Sequence, residues 1–158
     1  MTTDFSQIES SIIDVKKRDG RITNFNKEKI TNAIYKALVA TGKADRKIAE
    51  DLTNGVLNKL IQQGFSASHP PSVEDVQDMV ESTLIEKGYG EIAKSYILYR
   101  HERRKVREDK MKVLNTKSLD NVSKAFDLNC LRVLASRYLM RNNKSEITES
   151  PGQMFERV

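Results

Sequence analysis

The sequence predicts a mainly α-helical protein that opens on one small β-hairpin and ends, past a linker, in one or two further helices. Three observations carry this. Asp19-Gly20 joins two short runs containing β-branched residues. Four stretches between Asn26 and Lys110 hold apolar residues at helical spacing, and most are closed by a cap or a glycine. The composition then shifts over 111–120, before another helical stripe begins.

The first 12 residues are polar and read as a loose tail. Ile13-Asp14-Val15-Lys16-Lys17-Arg18 then meets Arg21-Ile22-Thr23-Asn24-Phe25-Asn26 across Asp19-Gly20. Asp-Gly suits a tight two-residue turn, which needs positive φ. Ile13, Val15, Ile22 and Phe25 are its candidate apolar contacts. Two strands alone are marginal in water, so the hairpin must lie on something.

Asn26 can cap a helix over 27–40, with Ile30, Ile34, Ala37 and Leu38 on one stripe. A second helix covers 45–62, with Ile48, Leu52, Val56 and Leu60 spaced by four, and Gly64 closes it. Residues 64–71 read as a loop. Ser72-Val73-Glu74-Asp75 opens a third helix with a near-capping-box pattern, carrying Val73, Val76, Val80 and Leu84. A fourth starts near Gly90 and buries Ile92, Ala93, Tyr96, Ile97 and Tyr99, then continues through a charged run, 100–110. Beyond the composition shift, Leu131, Leu134, Ala135, Tyr138 and Leu139 form another stripe. Asn142-Asn143 is a turn. Ser150-Pro151-Gly152-Gln153 is a strong helix start, with Met154, Phe155 and Val158 beginning an apolar face. A helix of about two turns is not stable alone. The last ~30 residues therefore read as the opening of a larger domain.

The 158 residues carry 27 Lys+Arg against 22 Asp+Glu, a formal net charge of +5. Thirty-eight per cent hydrophobic residues suffice for a core, so wholesale disorder is excluded. No apolar run approaches the ~20 residues of a membrane-spanning helix. The N-terminus lacks the pattern of a secretory signal. The single Cys130 rules out an internal disulfide framework and any multi-cysteine zinc site. A cytoplasmic protein with no membrane partner is the expectation.

The chemistry concentrates at the hairpin. Lys16, Lys17 and Arg18 are consecutive cations on one arm, and Lys27 and Lys29 lie in the first turn of the following helix. That turn is the positive end of the macrodipole, so lysines there are unfavourable by a few tenths of a kcal/mol or more. An anion held among them would offset the repulsion, and a polyphosphate fits. Charge alone leaves two readings open, solvated lysines or an anion site, and Asp19 and Glu28 dilute the field.

Other chemistry finds little support. No GxxxxGK[ST] loop occurs. His69 sits beside Pro70 in a loop and His101 lies in a charged run, without partners for a metal or a triad. Cys130 in an apolar helix reads as packing. The run 100–110 holds six cations and three acids but no interleaved aromatic residues, so it reads as a solvated helix extension rather than a nucleic-acid contact.

Val15-Lys16-Lys17-Arg18-Asp19-Gly20-Arg21 followed by Phe25-Asn26-Lys27-Glu28-Lys29-Ile30 resembles the opening of the ATP-cone, a nucleotide-binding regulatory domain at the N-terminus of many ribonucleotide reductases. Ser72 to Glu81 resembles that family's third helix. Tyr89, Ala93, Tyr96, Ile97, Leu98, Tyr99 and Arg100 resemble its fourth. The resemblance covers 13–107, with 108–120 as linker. It implies a four-helix cluster lidded by a small hairpin or sheet, with ATP or dATP, accompanied by Mg2+, between lid and helices. By position, Lys17 and Arg18 match phosphate contacts, and Asn26 and Lys29 complete the site at the start of the first helix. Val73 and Gln77 fall where the third helix faces the nucleotide. Arg103 or Arg104 matches a cation of the fourth helix. Val73, Gln77 and Thr23 depart from the Thr, His and acid of some relatives, so the resemblance fixes neither the number of nucleotides nor the ATP-versus-dATP preference.

Residues 121–158, through Leu128–Leu139 and Glu149–Val158, resemble the start of a reductase catalytic domain, closest in flavour to the adenosylcobalamin-dependent enzymes. That cofactor would belong to the remainder of the enzyme, not to this chain. The implied partners are adenine nucleotides, the catalytic remainder and other reductase subunits. The expectation is the first part of a large subunit, as a split gene product or a fragment. It would be inactive alone, since the chemistry needs a thiyl radical and a reducing cysteine pair. Two other readings are a stand-alone ATP-cone regulator, whose zinc ribbon one cysteine cannot form, and a helical nucleic-acid binder.

Overall fold

The computed structural model describes residues 12–158. Of the expected N-terminal tail, residues 1–11 lie outside the described residues, while Ile12 is buried. Among the described residues are two strands, β1 (Asp14–Lys16) and β2 (Ile22–Asn24), and seven helices. These are α1 (Lys27–Ala40), α2 (Arg46–Gln62), α3 (Val73–Glu86), α4 (Gly90–Val113), α5 (Asn121–Ala125), α6 (Leu128–Arg137) and α7 (Pro151–Arg157). The mainly helical class with one small sheet is as the sequence predicts. The chain divides into two compact units, one ending at Tyr99 and the other spanning Arg100–Val158. No helix among the described residues is long and apolar enough to cross a membrane.

In the first unit the strands pair antiparallel, with Asp14 opposite Asn24, Val15 opposite Thr23 and Lys16 opposite Ile22. The turn is longer than the two residues expected. Lys17 N–H donates to the Arg21 carbonyl and Gly20 N–H to that of Lys17, so Arg18, Asp19 and Gly20 form a three-residue loop. Gly20 alone of the three has positive φ, +85°, as a turn followed by a left-handed residue requires. Ile13 and Ile22 are 55% and 60% exposed, contrary to their expected role, and the hairpin's apolar anchors are Ile12 and Phe25.

The hairpin docks through its backbone. Lys16 N–H donates to the Pro71 carbonyl (2.9 Å), and Lys16 forms a parallel bridge with Ser72. Ser72 caps α3 in a full capping box with Asp75. Beneath lies one core of Ile30, Ile34, Leu38, Leu52, Val56, Leu60, Val80, Leu84, Ile92 and Tyr96. Its buried hydroxyls are satisfied: Thr31 and Thr53 bond each other at 3.0 Å, and Thr53 also donates to the Ala49 carbonyl. Ile97 and Tyr99 share the helical spacing of that stripe but are 40% and 51% exposed.

The second unit closes on Leu114, Leu131, Ala135, Leu139 and Met154. α4 extends through Val113, so the first part of 108–120 is helical. α5 goes unpredicted, because five residues carry no periodicity. Lys110, read as a solvated member of the charged run, is buried instead: its Nζ donates to the carbonyls of Ser123 (3.2 Å) and Lys124 (2.9 Å) at the end of α5. The capping box of Ser150 and Gln153 is present, and Phe155, though 53% exposed, stacks on Phe126 at 6.0 Å. Asp120 serves two helices, accepting from Ser123 N–H (2.7 Å) and from Gly152 N–H (2.9 Å). A Cβ at Gly152 would lie 2.6 Å from the Asp120 carboxylate, so that approach needs glycine.

Candidate nucleotide site at the hairpin and the start of the first helix

Asn26 has the extended backbone of an N-cap, and its Oδ1 accepts from Glu28 N–H at 2.9 Å. That cap opens α1 with Lys27, Glu28 and Lys29 in its first turn. Beside it is an open cleft of ≈ 450 Å³, lined by Ile12, Asn24, Phe25, Asn26, Lys27, Lys29 and Leu57. The volume lies within the ~300–1,000 Å³ usual for small-molecule sites. Ile12, Phe25 and Leu57 give it an apolar wall, and the asparagines and lysines give it a polar one.

Glu28 of that first turn and Asp19 of the hairpin loop both pair with arginines. Glu28 pairs with Arg46 of α2 at 2.7 Å, and Arg46 also bonds Asn32. Asp19 pairs with Arg21 at 2.6 Å. Hydrogen bonds from the Arg21 side chain and backbone hold its carboxyl down at about 2, so it stays ionised beside its partner. Lys17 and Lys29 are exposed and have no side-chain ion pair among the described residues. Of the five cations that the sequence clusters here, Arg18 is paired with Glu74, while Lys17 and Lys29 keep their charge without an ion pair among the described residues.

The structure brings Asn26 and Lys29 into one cleft, and it brings Arg18 into contact with Gln77. Arg18 Nε donates to Glu74 Oε1, and Arg18 Nη2 donates to Gln77 Oε1 at 3.4 Å. Val73 is half-buried in the first turn of α3, and Lys17 stands where the hairpin loop begins. Arg103 and Arg104 are exposed on α4 within the second unit. Sequence reasoning missed Ile12, Asn24 and Leu57 as lining residues. Leu57 carries no distinguishing signal, since it reads as one more buried apolar residue of its helix. It missed Glu74 altogether. Among the described residues no cluster of metal-ligating side chains occurs, and His69 stacks on Phe65 at 5.5 Å.

A cationic hairpin docked by its backbone on one helix start, with a cleft of one apolar and one polar wall at another, is an arrangement that can take a ligand partly apolar and partly anionic. Residues 13–105 match the ATP cone domain model, more than half of the sequence, and the chain belongs to that family. Residues 124–158 match the ribonucleotide reductase all-alpha domain. Among curated relatives, the chain is 41% identical over 152 residues to the vitamin B12-dependent ribonucleoside-diphosphate reductase of Thermoplasma acidophilum, which covers 93% of this chain and 18% of that protein. It is 35% identical over 108 residues to ribonucleoside-diphosphate reductase subunit alpha of Chlamydia pneumoniae, covering 64% of this chain and 10% of the relative. It is 29% identical over 123 residues to the anaerobic ribonucleoside-triphosphate reductase of Haemophilus influenzae, covering 78% of this chain and 17% of the relative. The chain thus spans less than a fifth of the length of each.

Proposed function

We propose that this chain is the nucleotide-sensing N-terminal segment of a ribonucleotide reductase, taking ATP or dATP with Mg2+ as allosteric effector. The observation that carries the reading is the cleft at the Asn26 cap, where Lys29 stands without an ion-pair partner among the described residues. Its apolar wall suits a purine and its cations suit phosphates. Lys17 and Arg18 on the hairpin, and Val73 and Gln77 on α3, are the proposed further contacts. When bound, the nucleotide supplies negative charge that relieves the repulsion among these cations. A purine nucleotide regulates by binding two assemblies of the enzyme unequally. The reductase partners of this segment are the catalytic remainder, for which B12 chemistry is the proposed mode, and other reductase subunits. The lone Cys130 supports a division of labour in which reduction takes place outside this chain.

Calorimetric titration of the 158-residue chain with MgATP, and separately with Mg-dATP, tests the reading. Saturable uptake of at least one is expected. Absence of saturable uptake of both near physiological Mg2+ overturns it.

A further inference from the structure

Glu74 contacts the hairpin from α3 in a way that its place in the sequence does not announce. Arg18, in the hairpin loop, reaches it through Nε and reaches Gln77 through Nη2. Glu74 and Gln77 are three residues apart and so share one face of α3. The other acid of that turn, Asp75, is committed to the helix cap, accepting from Ser72 N–H at 2.8 Å and Ser72 Oγ at 2.6 Å. A guanidinium beside the positive end of a helix is unfavourable by itself. Glu74 therefore holds it there. The backbone joint of Lys16 to Pro71 and Ser72 fixes β1 beside the start of α3, close in sequence to both Arg18 and Glu74.

We propose that Glu74 is a built-in competitor for the effector's phosphates, occupying the Arg18 guanidinium until a polyphosphate displaces it. The inference rests on the reading of this domain as an adenine-nucleotide site. Carboxylate and phosphate use the same guanidinium N–H groups, and Arg binds either through a planar fork. The two side chains are 39% and 43% exposed, so the pair is weak and exchangeable rather than locked. Displacement has a structural consequence. Losing Glu74 removes one of the bonds between the hairpin loop and α3 and leaves the Gln77 bond and the Lys16 backbone joint, so the charge of the ligand is coupled to the hairpin–α3 contact. Glu74 sets the affinity threshold for that exchange.

Titration calorimetry of the full chain with MgATP and with inorganic tripolyphosphate tests this, using Glu74→Gln, Arg18→Ala and the double variant. Glu74→Gln is expected to tighten both ligands by about 2- to 5-fold, the range set by one exposed ion pair. In the Arg18→Ala background the same substitution should change nothing. Wild-type binding of MgATP with no gain in Glu74→Gln overturns the competitor role while leaving the site intact. So does an equal gain without Arg18, which would be general electrostatics. Failure of the wild type to bind MgATP, with Mg-dATP failing likewise, overturns both the competitor role and the nucleotide reading; if Mg-dATP alone binds, the same variants are compared with it.

Discussion

Lys29→Ala should lower the affinity for MgATP by about 10- to 100-fold, the effect of removing one charge-assisted hydrogen bond worth roughly 1.5–3 kcal/mol. Lys29 lines the cleft and lies in the first turn of α1, where a cation opposes the macrodipole. It has no ion-pair partner among the described residues. Alanine at that position is a better helix former than lysine and removes the unfavourable charge. Folding stability should therefore hold or rise by a few tenths of a kcal/mol while binding falls. Calorimetry against a thermal melt separates the two. Lys17→Ala should act in the same direction, from the hairpin side. Unchanged affinity in both variants would remove the phosphate assignment.

Asp120→Ala should destabilise the second unit by about 2 kcal/mol, since two capping bonds of about 1 kcal/mol each are lost together. One caps α5 at Ser123 N–H, and the other ties in Gly152 N–H at the start of α7. Hydrogen exchange at those two amides should quicken by about 30-fold if opening is local to the unit. The pH dependence follows in sign. Partial burial pushes the Asp120 carboxyl up, but hydrogen bonds from Ser123, Ser150 and Gly152 outweigh it and bring it down from 3.8 to about 2. A carboxyl depressed in the fold stabilises fully above its unfolded value and loses that contribution as pH falls through its folded value. The gap between wild type and Asp120→Ala should therefore be full above pH 4 and narrow towards pH 2. A gap independent of pH would mean that the charged form does not matter.

Most of the fold is legible in the sequence where local chemistry decides it. Asn26, Ser72 with Asp75, and Ser150 with Gln153 each mark a helix start by the bond that their own side chains make. What escapes depends on residues far apart in the chain. Ile97 and Tyr99 carry the spacing of a buried stripe, yet nothing in spacing says where the neighbouring helices stop covering it. Lys110 belongs to a run that reads as solvated, and it is buried because two carbonyls 13 and 14 residues on accept its protons. The cationic character of the candidate site is readable from Lys16, Lys17, Arg18, Lys27 and Lys29. Its apolar wall is less so, because Leu57 looks like any core leucine. Glu74 looks like an ordinary first-turn acid and acquires meaning only through Arg18, 56 residues earlier.

The joint between Lys16 and Pro71 is made by a main-chain amide, which is indifferent to the side chain it carries. Any residue that keeps its N–H can stand at position 16 with the joint intact, whether acidic, neutral or basic; proline cannot. Mechanical attachment and electrostatic character thus answer to different atoms of one residue. A lineage of such chains is free to retune how strongly the flap attracts anions without ever unfastening it.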